Sequence, residues 1–156
     1  MIAFSIFPVL VFAELTPSAG WYVRFDTGLS SARADDLGTS PVFGGGLGYS
    51  YVPGLRGDLV LTYRSGFEEE FQALTTLLSV YVDLYSTARV SPYGGFGAGF
   101  SRNKLESVTT TNFAWQICGG ANVQIGNRWL LDIGYHLVKW GDLHSHEVQA
   151  SIQYTF

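Results

Sequence analysis

The last eleven residues, HEVQASIQYTF, alternate without a break. Val148, Ala150, Ile152, Tyr154 and Phe156 make an apolar row, and Glu147, Gln149, Ser151, Gln153 and Thr155 a polar one. Successive side chains of a β-strand point to opposite faces, so a period of two sorts apolar from polar surface. A helix would scatter both rows around its circumference. The pattern predicts a strand and says which residues share each face.

The same period recurs along the chain. It predicts eight strands, over 20–30, 41–51, 56–65, 74–85, 92–101, 112–125, 128–139 and 146–156. Trp21, Val23 and Phe25 oppose Tyr22, Arg24 and Asp26; Leu78, Val80 and Val82 oppose Ser79, Tyr81 and Asp83. Leu131, Ile133 and Tyr135 oppose Asp132, Gly134 and His136. Connections alternate in kind: Pro53-Gly54-Leu55, 86–91 and Gly126-Asn127 are short, while 31–40, 66–73, 102–111 and 141–145 are longer and polar. Short turns at one end and longer loops at the other describe an all-β, eight-stranded antiparallel up-and-down barrel.

Alternation alone does not say which row faces out. A soluble, lipocalin-like carrier of small apolar ligands would bury the apolar row, and a membrane barrel shows it to lipid. Composition bears on the choice. Apolar residues are 47% of the chain and charged residues 14%, against about 25% charge in an ordinary soluble domain. The polar row, mostly Gly, Ser, Thr and Gln, would clothe a soluble surface poorly but suits a narrow interior filled by side chains. Its charges are of both signs: Arg24, Arg56 and Arg64 against Asp26, Asp58, Asp83, Asp132 and Glu147. Buried charges need partners, so a lumen ion-pair network and a plugged interior are expected. Aromatics fall near strand ends, as interfacial girdles require. Trp21, Trp129, Tyr51, Tyr93 and Tyr154 are expected at the turn-side rim, and Trp115, with Trp140 close by, at the loop-side rim. Strands of this length match the ~9–11 residues needed to cross a bilayer at a tilt. The expectation is a transmembrane barrel.

Residues 2–13 are apolar and end Val11-Phe12-Ala13, the small-residue pattern of a secretory signal cleaved after Ala13. No positive leader precedes it, so the segment reads as truncated or its start as misplaced. This makes 1–13 the signal and 14–156 the barrel domain. The single cysteine, Cys118, excludes an intrachain disulfide or a cysteine-cluster metal site. A pI near 5.2 without a Lys/Arg cluster argues against a nucleic-acid partner.

The segments GWYVRFDTG (20–28), FGGGLGYSY (43–51), SPYGGFGAGFSRN (91–103), NFAWQICGG (112–120), LLDIGYHLVKWGD (130–142) and HEVQASIQYTF (146–156), in that order, resemble the opacity-type porin family. These are small OmpA-like and OmpX-like outer-membrane barrels of Gram-negative bacteria. The resemblance covers nearly the whole mature chain. It implies an outer-membrane location, periplasmic chaperones and the outer-membrane assembly machinery as partners, and lipid and lipopolysaccharide as surroundings. It also implies that the C-terminal strand is the assembly signal, with Ile152, Tyr154 and Phe156 in its positions. Where family members often carry Arg this chain has His136, and where they carry a basic residue it has Thr155. That implies a less tightly ion-paired lumen.

His144-Ser145-His146-Glu147 holds the residue types of a hydrolytic triad, as in lipid A-modifying barrel enzymes. Parity, however, turns Ser145 and Glu147 away from the lipid-facing row. Arg56-Gly57-Asp58 spells an adhesion tripeptide, but its charged members point inward beside a turn. The Gly runs at 44–48 and 94–99 lack the lysine and helix of a phosphate loop. They suit tight lumen packing or strand curvature. Glu68-Glu69-Glu70 reads as a solvated acidic loop, with a Ca²⁺ bridge to lipopolysaccharide as the sharper alternative, and His136 reads as a hydrogen-bonded interior residue. No catalytic residue, cofactor or metal ligand is assigned. The expected protein is a monomeric barrel with a structural or surface role.

Overall fold

The computed structural model describes residues 19–32, 39–66, 71–84, 89–105 and 107–156. The proposed signal segment and Glu68-Glu69-Glu70 lie outside them. Eight strands form one closed antiparallel barrel: β1 (Gly20–Ala32), β2 (Thr39–Val52), β3 (Leu55–Ser65), β4 (Phe71–Asp83), β5 (Val90–Leu105), β6 (Val108–Gln124), β7 (Trp129–Trp140) and β8 (Leu143–Thr155). Each strand pairs with its neighbours in sequence, and β8 returns to pair with β1. The expected fold class holds.

The register fixes the geometry of closure. From Tyr22, the partners Gly48, Asp58, Ser79, Gly97, Gln116, Val138 and Ser145 lead round the barrel to Ala32. The circuit ends ten residues further along β1, from residue 22 to residue 32. Such a stagger requires strands inclined at roughly 35–45° to the barrel axis.

The faces sort as the alternation requires. On the outward row Phe25 is 65% exposed and Leu78 64%; on the inward row Arg24 is 2% exposed and Glu147 fully buried. Apolar side chains outside and ions inside is the inverse of a soluble protein, and it excludes the carrier reading, whose cavity would be apolar. The turn after β2 is built by Pro53 at its second position and Gly54, with φ of 85°, at its third, as a type II turn demands.

The strands run further toward the loop end than the hydropathy pattern indicates. Within the segment 102–111, read from sequence as a loop, residues 102–105 and 108–111 instead continue β5 and β6 as a ladder, Arg102 against Thr111 and Leu105 against Val108. Apart from Leu105 and Val108, both rows there are polar, so the amphipathic signal fades, yet the β-branched run Val108-Thr109-Thr110-Thr111 favours extended backbone. The 141–145 loop shrinks likewise: Trp140 pairs with Leu143 across a two-residue turn at Gly141, whose φ is 58°. Two aromatics expected at rims lie inside. Tyr93 shares the parity of Gly95, not of Phe96, and is 3% exposed; Trp140 follows the outward Lys139 and is 2% exposed.

Candidate functional site

The interior holds three polar layers, each centred on one arginine. At the turn end, Arg56 lies 3.5 Å from Asp132 and 3.7 Å from Asp83. It donates to Gln153 and Asn122, and its guanidinium sits over the rings of Tyr81 and Tyr93, at 4.8 and 5.1 Å. Asn122 donates to Asp83 and the Tyr93 hydroxyl to Asp132, both at 2.7 Å. In the middle layer Arg24 donates to Asp26 from Nε at 2.9 Å and Nη2 at 2.6 Å, and to Asp58 from Nη1 at 2.9 Å. Ser151 donates to Asp26, and the Tyr22 hydroxyl to Asp58. At the loop end Arg64 makes a two-pronged pair with Glu147, at 2.5 and 3.0 Å, and donates to Thr75. Ser145 and Gln149 also donate to Glu147, and Trp140 stacks beneath Arg64 at 5.2 Å. All eight charged residues of the expected network are thus brought together in pairs or triads.

The glycine-rich strands make room for this filling. Tyr22 is register-paired with Gly48 and Tyr81 with Gly95. A Cβ on Gly48 would penetrate the Tyr22 ring; one on Gly95 would lie 2.5 Å from Tyr81 and 2.9 Å from the Cys118 sulfur. Tyr81 and Tyr93, on the neighbouring strands β4 and β5, then meet edge to face at 5.8 Å inside the bore. The alternation already sets Tyr22 and Tyr81 on the inward row; of the three inward tyrosines, Tyr93 is the one the sequence places at the rim instead. Their signal is parity: each falls on the glycine row of its own hairpin, opposite the lipid-facing one. His136, in the same interior, meets Gln116 at 3.2 Å and forms no ion pair among the described residues.

The outer wall carries the aromatics. Tyr51, Tyr49 and Trp21 contact in series at the turn end, each pair 5.2 Å apart, and Trp129, Tyr154 and Phe156 continue at 4.8 and 5.7 Å. The Phe156 amide donates to the Trp21 carbonyl, so both groups meet at the β1–β8 seam. Ile152 lies on the same outward row. Trp115 also faces out, level with Lys139 near the loop end of β7, but midway along the lengthened β6.

The residues of the triad motif do not converge. Ser145 is fully buried and bonded to Glu147 inside, whereas His144 and His146 lie on the outer wall, where His146 bonds the Tyr135 hydroxyl. Ser31 is the outward register partner of His146, but no hydrogen bond joins them among the described residues. Nor, among those residues, does any group of three or more His, Cys, Asp or Glu have the arrangement to hold a metal ion.

Comparison with known proteins places this geometry. Residues 1–156 match the family described as "Outer membrane protein beta-barrel domain". No curated protein sequence matches the chain. Among solved structures, Neisserial surface protein A is similar at a TM-score of 0.75 and 20% identity, over 89% of this chain and 99% of that one. Ail, the attachment invasion locus protein of Yersinia pestis, is similar at 0.63 and 17%, over 89% and 100%. The outer membrane enzyme PagL is similar at 0.56 and 12%, over 86% and 99%. At such identities the likeness is one of fold.

Proposed function

Because this chain belongs to the outer membrane protein beta-barrel domain family, we propose that it acts as a monomeric structural and surface barrel, without catalysis. It is integral to the outer membrane, with its turn end toward the periplasm. The observation that carries the proposal is the filled interior. Three arginine-centred layers and the Tyr81–Tyr93 pair occupy the bore from end to end, which leaves an interior suited to stiffening the wall and not to passing solute. The inward burial of Ser145, away from both outer-wall histidines, argues against hydrolysis.

The role proposed is envelope integrity, with contact to the surroundings through the loop-end segments 33–38, 66–70, 106–107 and 141–142. The seam aromatics support a further part of the reading, that Ile152, Tyr154 and Phe156 address the strand to the assembly machinery.

The experiment is deletion of the gene with complementation. Increased entry of detergent or hydrophobic dye into the deletion strain, reversed by wild type and equally by a Ser31→Ala/His146→Ala double variant, is the expected result. Intact barrier function in the deletion strain would refute the envelope role. Altered acylation of lipid A, lost in the double variant, would refute the absence of catalysis.

A further inference from the structure

Two clefts on the outer wall join at Tyr63 and Leu74. The lower is a groove of about 340 Å³ lined by Phe43, Leu61 and the backbone of Gly44 and Gly45. Gly45 belongs to the outward row, and a Cβ placed on it would meet nothing nearer than 3.5 Å, so the wall is dented there. The upper cleft, about 230 Å³, adds Gln72, Arg102, Lys104 and Thr109. The register makes them one path: Phe43 pairs with Tyr63, Tyr63 with Leu74 and Leu74 with Arg102, while Gln72 and Thr109 flank Lys104. Because the strands tilt, this row climbs toward the loop end as it passes from β2 to β5. It is apolar below and basic above.

The level at which the basic residues sit identifies the surroundings. Arg102 and Lys104 follow Phe96, Ala98 and Phe100 on the outward row of β5; across β6, Phe113 gives way to Thr111 and Thr109. Cations on the lipid face are tolerated near the headgroups and costly in the hydrocarbon. The apolar band therefore ends between Phe100 and Arg102, and the two cations stand at the headgroups of the outer leaflet. Among the described residues, the lining of the upper cleft includes two cations and no acid, so the site suits an anion. Phosphoryl oxygens accept several such donors at once.

We propose that the joined clefts seat one phosphorylated acyl glycolipid of the outer leaflet, the chemical class of lipopolysaccharide. Its phosphoryl group lies between Arg102 and Lys104, Gln72 and Thr109 hydrogen-bond the head, and one acyl chain runs past Tyr63 and Leu74 into the Gly45 dent. The inference rests on the outer-membrane placement of the chain and not on its structural role, so its failure would leave that reading standing.

The test is native mass spectrometry of the full chain refolded in mild detergent and titrated with bisphosphorylated lipid A, dephosphorylated lipid A or phosphatidylcholine. The bisphosphorylated form is expected to bind one-to-one. Arg102→Gln/Lys104→Gln should weaken it about tenfold, as loss of charge-assisted bonds implies. Gly45→Leu, which fills the dent, should weaken it without touching a charge. Lys139→Gln, which removes an outward cation on another face, should change nothing. A band shift on boiling verifies that each variant is folded. Equal binding of dephosphorylated lipid A or of phosphatidylcholine, or undiminished binding by the Arg102/Lys104 variant, would overturn the headgroup site. Undiminished binding by Gly45→Leu would overturn the acyl groove.

Discussion

Arg24 joins two carboxylates, Asp26 and Asp58, that form no other ion pair among the described residues. Five acids face three arginines there, and even with Arg24 in place Asp26 Oδ2 and Asp58 Oδ1 have no hydrogen-bond partner among the described residues. Breaking a buried pair by removing one member costs about 3–5 kcal/mol, because it strands the other charge. Arg24→Ala is expected to lose at least that much, read as a lower urea midpoint for loss of the folded gel band. Arg24→Lys should rescue only part, since an ammonium lacks the planar fork that reaches Asp26 and Asp58 together. An unchanged midpoint in Arg24→Ala would show that water compensates these carboxylates. The glycines permit a sharper comparison. Gly94 and Gly95 are adjacent, but a Cβ on Gly94 has nothing within 4 Å, whereas one on Gly95 collides with Tyr81. Gly95→Leu should abolish the folded band and Gly94→Leu should keep it. Equal behaviour of the two would mean that Tyr81 can leave its place over Gly95.

Strands were legible in the sequence wherever their two rows differ in polarity, and lost where they do not. Along β8 the rows separate cleanly, and the eight charged interior positions follow from parity alone. Along 102–111 both rows are polar apart from Leu105 and Val108, so the ladder looked like a loop although its backbone pairing continues to those two residues. Tyr93 and Trp140 depart from the expected rims for a related reason: an aromatic near a strand end suggests a girdle, but only parity tells wall from bore, and both belong to the inward row. The partners stacked against them, Arg56 on Tyr93 and Arg64 on Trp140, join strands far apart in sequence and leave no local trace. At this scale the seam strand carries its own prediction. Phe156→Ala and Ile152→Asn remove outward apolar groups without touching the interior. Each is expected to reduce the amount of protein reaching the outer membrane several-fold in cells, while refolding in detergent in vitro proceeds normally. Equal defects in both settings would make these residues structural and not an address.

For the molecule as a whole, the layered filling implies electrical silence. In a planar bilayer the wild type is expected to show no stable conductance steps, and Tyr81→Ala/Tyr93→Ala, which removes the edge-to-face pair from the bore, to show small ones. Steps in the wild type would mean that ions find a route past all three arginines. Closure of the barrel carries a consequence in time. The pairing of β1 with β8, Tyr22 against Thr155, joins residues from opposite ends of the chain. The ring therefore cannot be completed until the last strand has been synthesised, and such distant pairing is slow to form. The incomplete chain exposes unpaired strand edges, the form most prone to aggregate. Once shut, the same ring offers no frayed border at which unravelling could start. The lifetime of this protein should then be governed less by the depth of its free-energy minimum than by the height of the barrier out of it: late to arrive at its native state, and slow to leave.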